Sequence, residues 1–192
     1  MENTIKTSIE LYQTAFKDYR PSGKLLEIFT YPAPVLKKVA EPVTEFNDEL
    51  KELCFDMLHT MYQARGIGLA APQIGKSIRV FVMDIDYNRD KVTRADGTSD
   101  YELSNLNPLI FINPIIEDKN GEILYQEGCL SVPGIYEDVK RAESIVIKFQ
   151  DWEGNHHSIE AHGLLSVCIQ HENDHLDGIL ITARVSTLRR IA

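Results

Sequence analysis

The stretch "CIQHENDHLDG", residues 168–178, sets two histidines four apart with a glutamate beside the first. On a helix, His171 and His175 lie about 40° apart in projection, so both rings can face one point. H-E-x-x-H uses that spacing in metal sites: two imidazoles hold the ion, and the intervening glutamate, here Glu172, moves protons. The rival reading is an ordinary helix whose histidines cap or pack. Leu164, Cys168, His171 and His175 fall on one face, flanked by Val167 and Leu176, which predicts that the face is buried. Buried imidazoles need partners, and an ion would satisfy one nitrogen on each ring.

A third ligand must come from elsewhere. No histidine, aspartate or glutamate follows Asp177, so the third ligand is expected upstream. "QEGCLSVPG" (126–134) offers Cys129 directly after Gly128, and glycine permits unusual backbone angles and close approach. One thiolate and two imidazoles would leave a fourth tetrahedral position open, as a catalytic site requires. The rival for Cys129 is a small buried hydrophobe. That rival is the preferred reading of Cys54 and Cys168, each on the apolar face of a helical pattern. Exposed or hydrogen-bonded roles are expected for His59, His156, His157 and His162. Glu127 and Arg141 could pair to brace the cysteine loop, or form an exposed ion pair that contributes little. Asp174 could accept from a ligand histidine or face water.

The elements that must position these groups follow from pattern. "NDELKELCFDMLHTMYQA" repeats Leu50, Leu53, Cys54, Met57, Leu58 and Met61 at helical spacing, with Asn47 or Asp48 as cap and Gly66 past the end. "LLSVCIQHENDHL" predicts a second helix ending at Gly178. "SIRVFVMDI" reads as a buried strand. "LIFINPIIED", "KNGEILYQEG", "ESIVIKFQD" and "NHHSIEAHG" read as short strands separated by turns. "KLLEIFTYPAPVLKKVAEPV" carries too many prolines for a long helix. "DYNRDKVTRADGTSDYELSNLN" is polar and turn-rich and is expected to be a long surface loop, about 88–107. Residues 1–24 read as a loosely attached extension, helical over "TSIELYQTAFKDY", ahead of a single domain over 25–192. Two helices among several strands predict an α+β fold with mostly antiparallel pairing.

Bulk properties bound the partners. The chain has 192 residues, 43% of them hydrophobic and 26% charged, enough for one sizeable core. Net charge is −9, and only "TLRR" at 187–190 is locally basic, which argues against a broad nucleic-acid surface. No apolar run would span a bilayer. The start lacks the apolar core of a signal peptide and carries Glu2, Glu10 and Asp18. Three cysteines, an odd count, do not suggest a disulfide framework, so a cytoplasmic location with reduced thiols is expected.

Three stretches in order, "GIGLAAPQIG" (66–75), "EGCLSVPG" (127–134) and "QHENDHLDG" (170–178), resemble the peptide deformylase family; "YPAPVLKKVAEPV" (31–43) is similar to its N-terminal part. The resemblance covers roughly residues 27–180. It implies antiparallel sheets around a central helix bearing HExxH, and removal of the formyl group from the N-terminal formylmethionine of new polypeptides by metal-activated water. It implies Cys129, His171 and His175 as ligands of one divalent ion, Fe²⁺ natively with Zn²⁺, Ni²⁺ or Co²⁺ as substitutes. Glu172 becomes the acid/base, Gln73 and the Leu130 backbone N–H the oxyanion donors, and Gly68 part of the same glycine-rich wall. Gly66 would let an extended peptide run close beside the chain, and Ile67, Leu164, Val167 and Cys168 would line the methionine pocket, plain core packing being the rival for Val167. Gln73 suits its role because an amide donates without titrating; its rival is a turn role after Pro72. A formyl-Met nascent peptide and transient ribosome contact are the implied partners, with no specific DNA and no membrane. The extra first 24 residues and the long 88–107 segment depart from the family pattern. A zinc endopeptidase and a metal-stabilised binding module remain alternatives at this point.

Overall fold

The computed structural model describes residue 16 and residues 19–184. The helical expectation for residues 7–19 falls almost wholly outside the described residues, as does the basic stretch 187–190. Helix α1 (Asp48–Gln63) starts where the Asn47 side chain accepts from the Leu50 N–H, satisfying one of the unpaired first-turn donors. Its Leu50, Cys54, Met57, Leu58 and Met61 are buried, as the helical spacing requires.

Five strands form the main antiparallel sheet. They are β1 (Gly68–Ala70), β2 (Val80–Met83), β5 (Leu109–Asn120), β8 (Ser144–Gln150) and β9 (His156–His162), in the order β1-β2-β5-β8-β9. Between β2 and β5 lie β3 (Asn88–Thr93) and β4 (Ser99–Ser104), and between β5 and β8 lie β6 (Ile123–Cys129) and β7 (Val132–Arg141); each couple is a separate two-stranded ribbon. Helix α2 (Gly163–Leu176) follows β9. The fold is α+β with antiparallel sheets, as expected. "VFVM" of β2 is buried at every position, since α1 and α2 both pack against it. Phe81 stacks on its cross-strand partner Phe111 with ring centroids 4.7 Å apart, and Phe149 continues the row at 4.4 Å. Such aromatic pairs add about 0.5–1.5 kcal/mol beyond their buried area.

The expected surface loop at 88–107 is instead the β3–β4 ribbon, closed by a turn in which Arg94 N–H donates to Thr98 and Gly97 takes a left-handed φ of 83°. Neither face of this ribbon is buried. It therefore carries no apolar alternation, the signal by which a strand is recognised. Strand β7 was not among the separate strands expected from pattern. Ahead of residue 25, Phe16 is buried and packs edge-on against Trp152 at 5.1 Å, with Tyr19 beside it.

Asp84, just past β2, roots the β3–β4 ribbon. It accepts from the Tyr62 hydroxyl of α1 (2.6 Å), from the backbone N–H groups of Asp86 and Tyr87 ahead of the ribbon, and from that of Asn107 behind it. The Tyr87 hydroxyl in turn donates to the carbonyl of Gly66. No described helix is long and apolar enough to cross a membrane.

Candidate active site

Helix α2 is buried on almost every side, so its polar residues need partners. Gln170 donates to the Ala142 carbonyl and accepts from the Ala142 N–H, and the Ser166 hydroxyl also donates to Ala142. These bonds fix the helix against the β7–β8 connection. One turn apart, the His171 and His175 rings stand edge to face at 5.1 Å. Cys129 ends β6 at a register shift, where Gly128 faces Tyr136 but Cys129 faces Val132. Bulges of this kind re-aim a side chain, and here the sulfur comes to 3.2 Å from His175 Nε2.

The ligating atoms of Cys129, His171 and His175 all lie within 4.8 Å of one another, the one such group of metal-binding residue types among the described residues. Donors around a tetrahedral ion stand roughly 3.3–3.6 Å apart at ordinary zinc bond lengths, so the cluster fits an ion with little movement. His171 Nδ1 lies 2.8 Å from Glu127 Oε2, a hydrogen bond that turns Nε2 toward the cluster. Glu127 is clamped by Arg141 through two bonds of 2.7 and 2.9 Å, and Arg141 reaches on to Asp174 at 2.6 Å. Arg184 binds the same Asp174. The Glu127–Arg141 pair is thus buried and braces the cysteine strand, while Asp174 serves the arginines rather than a histidine or water. Burial opposes ionisation of Glu127, yet the bonds from Arg141 and His171 prevail and hold it down at about 2.

Glu172 points the other way. Burial pushes its carboxyl up to about 7, and one of its oxygens has no protein partner. A Cβ on Gly68 would stand 2.7 Å from the Glu172 carboxyl carbon, so only glycine leaves that carboxylate its space. Burial, followed by the neighbouring His171 charge, pushes His175 well below its ordinary value. His171 is raised to about 10, because its bonds to Cys129 and Glu127 outweigh the effect of burial. An ion held there would need both rings neutral and would compete with the proton on His171.

Gln73 lies in a 3₁₀ turn, Ala71–Ile74. Its Oε1 accepts from the Ala70 N–H at 2.8 Å, so its amide nitrogen is aimed at Ser131 Oγ (3.2 Å) and Cys129 Sγ (3.8 Å). A cleft of about 440 Å³ opens beside the cluster. Gly66, Ile67, Gly68, Gln73 and Leu130 line one part of it, and Leu164, Val167, Cys168, His171 and Glu172 another. His175 sits deeper and does not line it. Burial keeps Cys168 a neutral thiol, with a pKa well above the usual range, and Cys54 likewise at about 12 in the core. His59, His156, His157 and His162 stay outside the cluster; His157 faces Asp151 at 2.8 Å.

Sequence reasoning missed part of the cleft wall: Arg65 at the end of α1, and Tyr125, Ile135 and Tyr136 on the β6–β7 ribbon. Local pattern gave no signal for them, because their place depends on strand pairing. Gly128 faces Tyr136 across the ribbon, and a Cβ there would meet the Tyr136 ring at 2.9 Å.

Residues 25–190 match the Polypeptide deformylase family. The chain belongs to this family. A peptide deformylase of Alkalilimnicola ehrlichii is 47% identical over 166 residues, covering 86% of this chain and 85% of that protein. The crystal structure of a peptide deformylase from Legionella pneumophila superposes with a TM-score of 0.76 at 40% identity, covering 88% of this chain and 90% of the other. The peptide deformylase of Thermotoga maritima gives 0.73 at 37%, covering 85% and 99%. The chain is therefore a peptide deformylase-family hydrolase that removes the formyl group from the N-terminal formylmethionine of nascent peptides, within a metal-dependent family.

Proposed function

We propose that Cys129, His171 and His175 hold one divalent ion, Fe²⁺ natively, with Zn²⁺, Ni²⁺ or Co²⁺ as substitutes. Thiolate and imidazole donors suit these ions. The observation that carries the reading is the meeting of the three donors beside a buried carboxylate with an unpartnered oxygen, at the floor of an open cleft. A divalent ion held there supplies Lewis acidity and lowers the pKa of water toward neutrality.

Glu172 takes a proton from the attacking water at its free oxygen as the new C–O bond forms at the formyl carbon. It returns that proton to the amine nitrogen as the C–N bond breaks, leaving formate and a free methionine amine. A carboxyl pushed up to about 7 is suited to both transfers near neutral pH. Charge that develops on the formyl oxygen is met by the Gln73 amide and the Leu130 N–H; losing one such donor typically costs about 3–4 kcal/mol.

The peptide lies along Gly66, Ile67 and Gly68. Strand β1 is an outer strand of its sheet and β6 belongs to a separate ribbon, so an extended chain can add between them. Leu164, Val167 and Cys168 receive the methionine side chain. Residues 1–24 precede a single catalytic domain over 25–192, a division supported by the family match beginning at residue 25. The enzyme acts in the cytoplasm on chains emerging from the ribosome, with transient ribosome contact and no use of DNA or membrane.

Formate release from formyl-Met-Ala-Ser after anaerobic Fe²⁺ loading tests the reading. Acetylated and internal peptides in the same panel separate it from endopeptidase activity: cleavage inside a peptide would replace it. Iron beside a thiolate also exposes Cys129 to oxidation, so activity should decay faster in air with iron than with zinc or nickel. Equal decay in air and under nitrogen would remove iron from the proposal.

A further inference from the structure

Arg65 stands where a helix end usually places glycine. Its φ is 60°, and Gly66 N–H reaches back to Met61 while Arg65 N–H reaches back to Tyr62, closing α1 with a left-handed residue. Non-glycine residues held in such conformations cluster at functional sites. Arg65 is exposed and is the one lysine or arginine lining the cleft among the described residues. The acids of that lining, Glu127 and Glu172, are both buried, and Glu127 is committed to Arg141.

The β3–β4 ribbon holds this cation in place. The Arg65 guanidinium lies 5.8 Å from the ring centroid of Tyr101 on β4, and Arg89 on β3 lies 4.8 Å from the same ring. Two guanidinium groups thus share one aromatic ring, and Arg89 is itself anchored to the Tyr62 carbonyl. Cation–ring contact within about 6 Å is attractive and costs the guanidinium none of its hydrogen-bond donors. Arg65 therefore keeps its planar fork for a carboxylate.

The geometry points to Arg65 as a specificity-determining residue that favours an acidic side chain at the third residue of the substrate, two after the formylmethionine. This inference rests on the deformylase reading of the cleft. The formyl carbon must sit among Cys129, His171 and Glu172, and nothing precedes it, so the peptide has to leave along the cleft. Gly68 touches Glu172, and Arg65 is three residues before Gly68. Arg65, Gly66 and Gly68 all line the cleft, and at about 3.3 Å per extended residue the third substrate residue lies roughly 7 Å beyond the first, within the reach of an arginine side chain.

The test uses the metal-loaded enzyme and C-terminally amidated peptides formyl-Met-Ala-X-Ala with X as Asp, Asn or Lys. Amidation separates a side-chain carboxylate from a chain-end carboxylate; the free-acid form of the Asn peptide reports the latter. The kcat/KM should fall from Asp to Asn to Lys by about two- to fivefold per step, the range of an exposed ion pair, and the spread should shrink at 1 M salt. The net charge of −9 would bias association the opposite way, so the order is diagnostic. R65Q should bring the Asp to Lys ratio toward one, and R65E should invert it. An unchanged ratio in both variants overturns the inference, as does a wild-type enzyme that releases formate from all three peptides equally. With formyl-Met-Asp-Ala-Ala-amide run alongside, a preference that follows Asp only at the second residue overturns the placement. If no peptide yields formate, the deformylase reading itself fails and takes this inference with it.

Discussion

The two ribbons, β3–β4 and β6–β7, share an architecture and differ in almost everything else; of the two, β6–β7 lines the cleft. The β6–β7 ribbon presents Glu127 and Arg141 inward, each about 5% exposed, and joins them to α2 through His171 and Asp174. The β3–β4 ribbon holds itself by surface contacts, such as Arg94 with Asp100 and the Ser104 hydroxyl with Asp90. The first places a sulfur to within ångströms; the second meets the Arg65 guanidinium of the cleft wall through Tyr101. Reactive atoms are set by the ribbon whose polar network is buried, and substrate preference by the ribbon that water can reach.

Four substitutions would break or sharpen that contrast. The largest effect should come from E172Q, which leaves the ligand cluster and its buried braces untouched. Metal content should stay at wild-type level while formate release falls by about 10²–10⁴-fold; loss of the metal along with activity would show that the carboxylate also supports the cluster.

R141M removes the cation shared by Glu127 and Asp174. Breaking a buried pair from one side costs about 3–5 kcal/mol, to be read as a lower urea midpoint. A shift no larger than that of a surface charge change would make the two ribbons equivalent.

E127Q keeps shape but weakens the hold on His171, and metal affinity should drop about 10- to 100-fold by competition with a chelator. The same variant tests the acid limb of stability. Glu127 ionises at about 2 in the folded chain against 4.5 as its ordinary value. Its contribution is complete above 4.5 and is lost as pH falls from there toward 2. The wild type should lose stability across that window more steeply than E127Q.

The smallest effect should be R94Q on the exposed ribbon, with no measurable change in urea midpoint. A clear loss there would mean that the surface pairs stabilise the ribbon after all.

The same contrast explains what could be read from sequence. Helix α1 was legible because Leu50 through Met61 repeat at helical spacing, and α2 because His171 and His175 share a face with Leu164 and Cys168. Burial imposes periodicity, so buried elements announce themselves. The β3–β4 ribbon buries neither face, and its strands passed for a loop. Residues 127–134 could be tied to the helix by chemistry and resemblance, but the bulge that turns the Cys129 sulfur inward depends on the pairing with β7, which local pattern does not reveal. Arg65 was invisible for another reason: its place in the cleft depends on Tyr101, distant in sequence.

Asp84 has a mechanical consequence. One carboxylate grips the incoming and outgoing ends of the β3–β4 ribbon together with a hydroxyl of α1, while Tyr87, next to the incoming end, holds the Gly66 carbonyl. Arg89 on Tyr62 and the Asn105 and Asn107 amides on Asp86 add further tethers at the same root. Losing the Asp84 carboxylate would therefore loosen three things at once: the two ends of the ribbon, its tie to the helix, and the support that Tyr87 gives the cleft wall at Gly66.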